Sequence, residues 1–182
     1  MKRITIFGGS KPVEGEASYQ EAVQLGKLLA SAGYIVQTGG YIGTMEAVSR
    51  GAAQVGGHVV GITCDEIEAF RPGKANQWVV EQLHFPTLRQ RLHALMEQND
   101  AALALPGGVG TLTEVSNMWN HLLVGAISPR PLILIGTGWK ATFECFFQAL
   151  GQYVPPDQRG WLSFAPDVQS AFSRLQQQFE QG

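Results

Sequence analysis

Gly107-Gly108-Val109-Gly110-Thr111, followed by Glu114, is the stretch whose residue types and spacing could do chemistry. Ala101 to Leu105 before it is a short apolar run of buried-strand type, and Val115 to Val124 after it has the character of a helix. A strand ends, three glycines turn the corner, and a helix begins with Thr111 near its first turn. Glycines let backbone N–H groups converge with no side chain in the way. The helix N-terminus adds unpaired donors and the positive end of the dipole. That combination binds anions, most often phosphate. Glu114, within one helical turn, would sit awkwardly beside a phosphate and so faces the next part of a ligand, such as a sugar. The same residues also fit a plain tight turn in which Glu114 only complements the helix dipole.

The elements that would position this stretch can be read along the chain. Ile4 to Phe7 form a first strand ending at Gly8-Gly9-Ser10, and Lys11 to Glu16 form a loop. Ala17 to Ala32 is a helix with Ala22, Leu25, Leu28 and Leu29 on one face, stopped by Gly33. Tyr34 to Thr38 is a strand, Gly39-Gly40-Tyr41-Ile42-Gly43 a turn, and Thr44 to Val55 a helix. His58 to Ile62 and Gln77 to Glu81 are further strands. Cys64 to Asn76 has no clear period and reads as a flexible loop over the ligand edge, as a short helix within it, or as a solvated surface loop. Pro86 to Gln98 is a helix, Pro131 to Ile135 a sixth strand, and Lys140 to Leu150 a helix. Gly151 to Ala165 is irregular and Pro166 to Phe179 is a last helix. Alternating strands and helices predict one α/β domain, a parallel sheet with helices on both faces. The glycine turns at Gly8, Gly39 and Gly107 would all fall on the carboxyl edge of that sheet, where such folds bind ligands.

Composition narrows the function. The chain has 182 residues, 45% of them hydrophobic, and a net charge of −2, which fits a globular domain and argues against a broad nucleic-acid-binding surface. Cys64 and Cys145 are far apart and read as ordinary reduced thiols. His58, His84, His93 and His121 are scattered, so no metal is expected. The basic-then-apolar start is too short for a signal peptide and breaks at Gly8-Gly9. No apolar run is long enough to span a membrane, and a cytoplasmic protein is expected. A Gly-x-x-x-x-Gly-Lys loop, a Gly-x-Gly-x-x-Gly fingerprint and a Gly-x-Ser-x-Gly elbow are all absent. What remains is phosphate binding, a carboxylate and a candidate arginine. Arg89 and Arg91 lie on the helix that feeds the central strand, where a surface position is the simplest reading of either.

The central motif resembles the Pro-Gly-Gly-x-Gly-Thr-x-x-Glu signature of the LONELY GUY (LOG) family of cytokinin riboside 5′-monophosphate phosphoribohydrolases, long mislabelled as lysine decarboxylases. The resemblance runs from Ile4 to about Gly138. It includes Ile6 to Ser10, Ser18 to Ala22, Gly39-Gly40 with Gly43-Thr44-Met45, and Gly56 to Gly61. The family carries an essential arginine 23 positions before the motif glutamate, which here is Arg91 (114 − 23 = 91). The resemblance implies a modified Rossmann fold, a homodimer and an AMP-like nucleotide substrate bound along the strand ends. It makes Arg91 and Glu114 catalytic. The phosphate would rest on Gly107 to Thr111, with Gly9, Ser10, Gly40 and Gly43 around it, and no cofactor or metal is implied. The reaction is hydrolysis of the N-glycosidic bond to free base and ribose 5-monophosphate.

The chain departs from the family pattern at Leu92, Thr113, Asn117, His121 and Leu123, positions expected around the base pocket. Gly43 to Ala47 with Arg50 to Ala52 also resembles a sister group, the molybdenum-cofactor carrier proteins, which hold a ligand in a similar cradle without turning it over. The two expectations are therefore an enzyme and a carrier. A pyridoxal-phosphate decarboxylase is discounted, because nothing marks Lys11, Lys27, Lys74 or Lys140 for that role. Met118 and Trp119 are expected to be exposed and to form the dimer contact.

Overall fold

The computed structural model describes residues 1–71 and 73–181; Pro72, inside the segment read as a loop, lies outside the described residues. Among the described residues seven strands form one sheet. They are β1 (Arg3–Phe7), β2 (Ile35–Thr38), β3 (Val59–Cys64), β4 (Glu81–Phe85), β5 (Ala101–Ala104), β6 (Leu132–Ile135) and β7 (Ser163–Ala165). The order across the sheet is β4-β3-β2-β1-β5-β6-β7. Every neighbouring pair is parallel. Strand order reverses between β1 and β5, which opens a crevice beyond their carboxyl ends.

Among the described residues eight α-helices, α1 (Ala17–Ser31), α2 (Thr44–Gln54), α3 (Asp65–Phe70), α4 (Leu88–Glu97), α5 (Val109–Leu123), α6 (Thr137–Leu150), α7 (Pro156–Arg159) and α8 (Val168–Gln181), and one 3-10 turn (Gly151–Tyr153) accompany the sheet. Strand side chains alternate between two cores, as the period of two requires. Ile4, Ile6, Leu103, Ile133 and Ile135 point to the face that also holds buried residues of α1, α2 and α8. Phe7, Ala102, Ala104, Leu132 and Leu134 point to the face covered by α4, α5 and α6. Burial on both faces explains why these strands read as continuous apolar runs. On the first face α1 and α2 cross with backbones almost touching. A Cβ on Gly51 would collide with the Val23 carbonyl, and one on Gly26 with the Val48 carbonyl.

Several expectations change. The strand expected at Gln77 to Glu81 begins where that range ends, because Asn76 organises a turn before it. The Asn76 amide donates to the carbonyls of Gly40 (3.0 Å) and Tyr41 (2.9 Å) and its oxygen accepts from the Trp78 N–H. The 64–76 segment contains α3. The stretch from Gly151 to Ala165 contains α7 and β7, elements of four and three residues that are too short to carry a period.

Met118 and Trp119 are core residues, 0% and 8% exposed. Trp119 packs edge-on against Phe143, Phe146 and Phe147 of α6, and its indole N–H donates to the Gln158 carbonyl at 2.8 Å. They face α6 rather than solvent and offer no surface to a partner.

Candidate active site

The three glycine turns do meet at the crevice, but they do different work. At the end of β1 the Gly9 N–H donates to the Pro106 carbonyl (3.3 Å). The Gly9 carbonyl accepts both the backbone N–H (2.9 Å) and the hydroxyl (3.0 Å) of Thr44, the first residue of α2. The N-terminus of α2 is thus occupied by the protein itself. Gly43 and Gly40 both have φ near +77°, a conformation open to glycine at low cost. Gly43 backs onto Gly9 and Ser10, and Gly40 onto Gly61 of β3. The expectation that Gly40 and Gly43 bind the ligand is therefore corrected: they shape the floor and do not line the cleft.

The turn after β5 is different. Helix α5 begins at Val109, with Gly108 at the N-cap in extended backbone, and its first intrahelical bond runs from Leu112 N–H to the Gly108 carbonyl. The N–H groups of the first turn, Val109 to Thr111, have no intrahelical acceptor. A Cβ added at Gly108 or Gly110 would meet open space. Thr111, 3% exposed, lies against Gly107 at the cleft wall. Gly9, Ser10 and Gly107 to Thr111 all line one cleft of about 680 Å³.

One turn further along α5, Glu114 enters the same cleft and is 8% exposed. Its Oε1 lies 3.6 Å from Nη1 of Arg91, a residue of α4 that is 4% exposed. Arg91 is held in place by the backbone. Its Nε donates to the Ile62 carbonyl (2.7 Å) and its Nη2 to the Gly39 carbonyl (3.3 Å), and the guanidinium lies 5.7 Å from the Tyr41 ring centroid. A side chain on Gly39 would strike this guanidinium, which explains that glycine. The surface reading of Arg91 is corrected: α4 turns it inward, under the ends of β2 and β3.

Burial pushes the Glu114 carboxyl up to about 7, with the Arg91 charge pulling the other way and not overcoming it. A group that changes charge near neutrality inside a cleft is suited to accepting and returning a proton. It also costs stability. Between 4.5 and about 7 the unfolded chain has lost this proton while the folded chain keeps it, so this contribution declines as pH rises through that window. Glu114→Gln should therefore gain stability relative to the native chain on going from pH 4 to pH 8, by on the order of 3 kcal/mol. Urea unfolding at the two pH values measures it.

Tyr41, Met45, Lys11, Ser18, Ile67 and Arg71, none of which was given a role from sequence, also line the cleft. Lys11 and Ser18 flank the first glycine turn and could have been included on that ground. Ile67 and Arg71 lie in the segment without a period, which gave no signal. The departures from the family pattern fall elsewhere. Leu92, Asn117 and His121 line a second concavity of about 750 Å³ between α4 and α5, Thr113 is exposed, and Leu123 packs on the core. Position 92 is rotated by about 100° from Arg91, and Asn117 and His121 lie about one and two turns beyond Glu114. They do not line the Glu114 cleft, contrary to the expectation that they stand around the base pocket. That second concavity is the larger, but it holds neither the free helix N-terminus nor the buried ion pair.

A family described as "Possible lysine decarboxylase" matches residues 45–175. A cytokinin riboside 5′-monophosphate phosphoribohydrolase of Rhodococcoides fascians is 31% identical over 96% of this chain and 89% of its own. One from Arabidopsis thaliana is 30% identical over 97% and 82%. The chain belongs to the LOG family. In fold, the molybdenum cofactor binding protein of Rippkaea orientalis superposes with a TM-score of 0.76 at 21% identity, over 98% of this chain and 97% of that one. The Pro106-Gly107-Gly108-Val109-Gly110-Thr111 stretch with Glu114 is thus the β5–α5 turn and the first turns of α5, and the arginine 23 positions before Glu114 is the buried Arg91. The LOG family's older label finds little here, since every lysine of this chain is exposed.

Proposed function

We propose that this protein hydrolyses the N-glycosidic bond of an AMP-type nucleoside 5′-monophosphate, unmodified or modified at N6, to free base and ribose 5-monophosphate. The observation that carries the reading is the buried Glu114, one turn beneath a helix N-terminus whose first N–H groups have no intrahelical acceptor, and paired with Arg91. The names of the two relatives point to the same chemistry. A phosphate on the N–H groups of Val109 to Thr111 puts the ribose next to Glu114. As the bond from C1′ to the base nitrogen breaks, its electron pair leaves with the base and positive charge grows on the ribose. The Glu114 carboxylate stabilises that charge and takes a proton from the water that attacks C1′. The same proton can then neutralise the departing base. Arg91 favours the ionised carboxylate before the exchange and orients it throughout. Incubation with AMP and with N6-isopentenyl-AMP should release adenine and N6-isopentenyladenine, measured by chromatography. Tight nucleotide binding with no base released from either would favour the carrier reading.

We also propose a homodimer, with a second copy seated on the α4–α5 concavity, where Leu88 and Leu92 follow one another at i, i+4 on α4. Leu88 is 39% exposed in the single chain. Sedimentation should give twice the chain mass, and Leu92→Glu should give the monomer; a native chain that sediments as a monomer would refute this.

A further inference from the structure

Helix α3 is held by the acidic residues along it. Asp65 Oδ1 lies 2.7 Å from His84 Nε2, Glu66 Oε2 accepts the Leu88 N–H at 2.7 Å, and the Tyr41 hydroxyl donates to Glu68 Oε1 at 3.4 Å. These ties reach β4, the start of α4 and the β2–α2 turn. Ile67 of α3 and Arg71, the residue that ends the helix and whose N–H donates to the Ile67 carbonyl at 2.8 Å, are the α3-side residues that reach into the cleft. Glu114 and the α5 N-terminus stand at β5, whereas α3 follows β3. Across the sheet the order is β5, β1, β2, β3, three strand spacings or about 14 Å. That is close to the span from the phosphate to the far edge of the ring system in an extended purine nucleotide. Between the two ends the distances run in sequence: Glu114 to Arg91 at 3.6 Å, then Arg91 to the Tyr41 ring at 5.7 Å. The polar end thus lies at α5, and the end lined by Tyr41, Met45 and Ile67 lies at α3.

We infer that α3 is the wall that reads the base: Ile67 packs against the ring and Arg71 donates to acceptor atoms on its outer edge. A two-ring base reaches this wall, and a single-ring pyrimidine stops short of it. The inference rests on the nucleotide reading above, and its test reads binding directly. Dissociation constants are measured by calorimetry for AMP, CMP and ribose 5-phosphate, with the native protein and with Ile67→Ala/Arg71→Ala. Both side chains are half-buried, and thermal unfolding verifies that the variant folds. The native protein is expected to bind AMP about tenfold or more tighter than CMP. In the variant AMP should weaken to the level of CMP, while ribose 5-phosphate binds as before. An unchanged ratio of AMP to CMP overturns the inference. So does parallel weakening of ribose 5-phosphate, which would assign α3 to the anion end or to the fold. If the native protein binds ribose 5-phosphate but does not prefer AMP to CMP, the base-reading role falls while the phosphoribosyl site stands. If it binds none of the three, the nucleotide reading falls and takes this inference with it.

Discussion

Glu114→Gln is expected to lower base release from AMP by about 10³-fold or more, while ribose 5-phosphate and AMP bind as before. The substitution keeps shape and removes only the capacity to carry charge and to take a proton. The anion end is built from backbone N–H groups of α5, which a side-chain change one turn away leaves in place. Loss should therefore fall on kcat and spare KM. Removing the carboxylate also removes the unfavourable burial that holds its pKa near 7, but it leaves the buried Arg91 guanidinium with only the Ile62 and Gly39 carbonyls as acceptors, so stability at neutral pH is set by the balance of the two. Catalytic loss with ribose 5-phosphate binding retained separates a reacting group from a structural one. Near-normal turnover in this variant would overturn the role given to Glu114. Single-turnover assays with AMP, alongside calorimetry with ribose 5-phosphate, measure the two halves.

Arg91→Met is the second large effect, and it should reach both activity and fold. Met fills much of the same volume but satisfies none of the three directions Arg91 serves. The Ile62 and Gly39 carbonyls lose their donor, and Glu114 loses its cation. Breaking a buried pair from one side costs about 3–5 kcal/mol, because the remaining charge has no partner. Glu114 should answer by holding its proton to higher pH. Activity at pH 7 should drop, and part of it should return as pH is raised above the native optimum. Arg91→Lys should restore little, since an ammonium cannot replace a planar group that donates along several fixed lines. The double variant Arg91→Met/Glu114→Gln should be more stable than Arg91→Met alone, because no buried charge is then left unpaired. Urea unfolding of the four proteins closes the cycle; strict additivity would show that the pair is not energetically coupled.

The cleft was legible in sequence where backbone chemistry makes it. Gly107 to Thr111 had to be a turn between an apolar strand and a helix, and strand alternation had to bring the glycine turns to one edge. Arg91 was not legible from spacing or amphipathicity. It sits in a helix whose pattern permits a surface arginine, and only the family resemblance singled it out. The reason lies in tertiary structure: Arg91 is buried because two backbone carbonyls and Glu114, from three other parts of the chain, satisfy it. Gly40 and Gly43 show the opposite error. Their glycines were read as room for a ligand, whereas they make room for Gly61 and for Gly9 with Ser10. Trp119 misled for a related reason. Its partners on α6 lie more than twenty residues away, so one helix in isolation shows an aromatic with no visible place to go. Ile67 and Arg71 stayed hidden because six residues of helix are too few to establish a period.

The Gly9 carbonyl, with two donors from Thr44 upon it, has a consequence for how a ligand arrives. It joins the β1–α1 loop to α2 as one body, and α2 is in turn locked to α1 by the near-contact at Gly26 and Gly51. The proposed phosphate end, tied to this body through the Gly9 N–H and the Pro106 carbonyl, is consequently assembled by folding, and its ordering entropy is lost before any ligand is met. Capture of the phosphate should therefore be fast and nearly independent of viscosity-limited loop motion, with little heat-capacity change beyond that of the surface covered. Whatever slow adjustment accompanies binding belongs to the opposite end, where α3 hangs on three polar contacts.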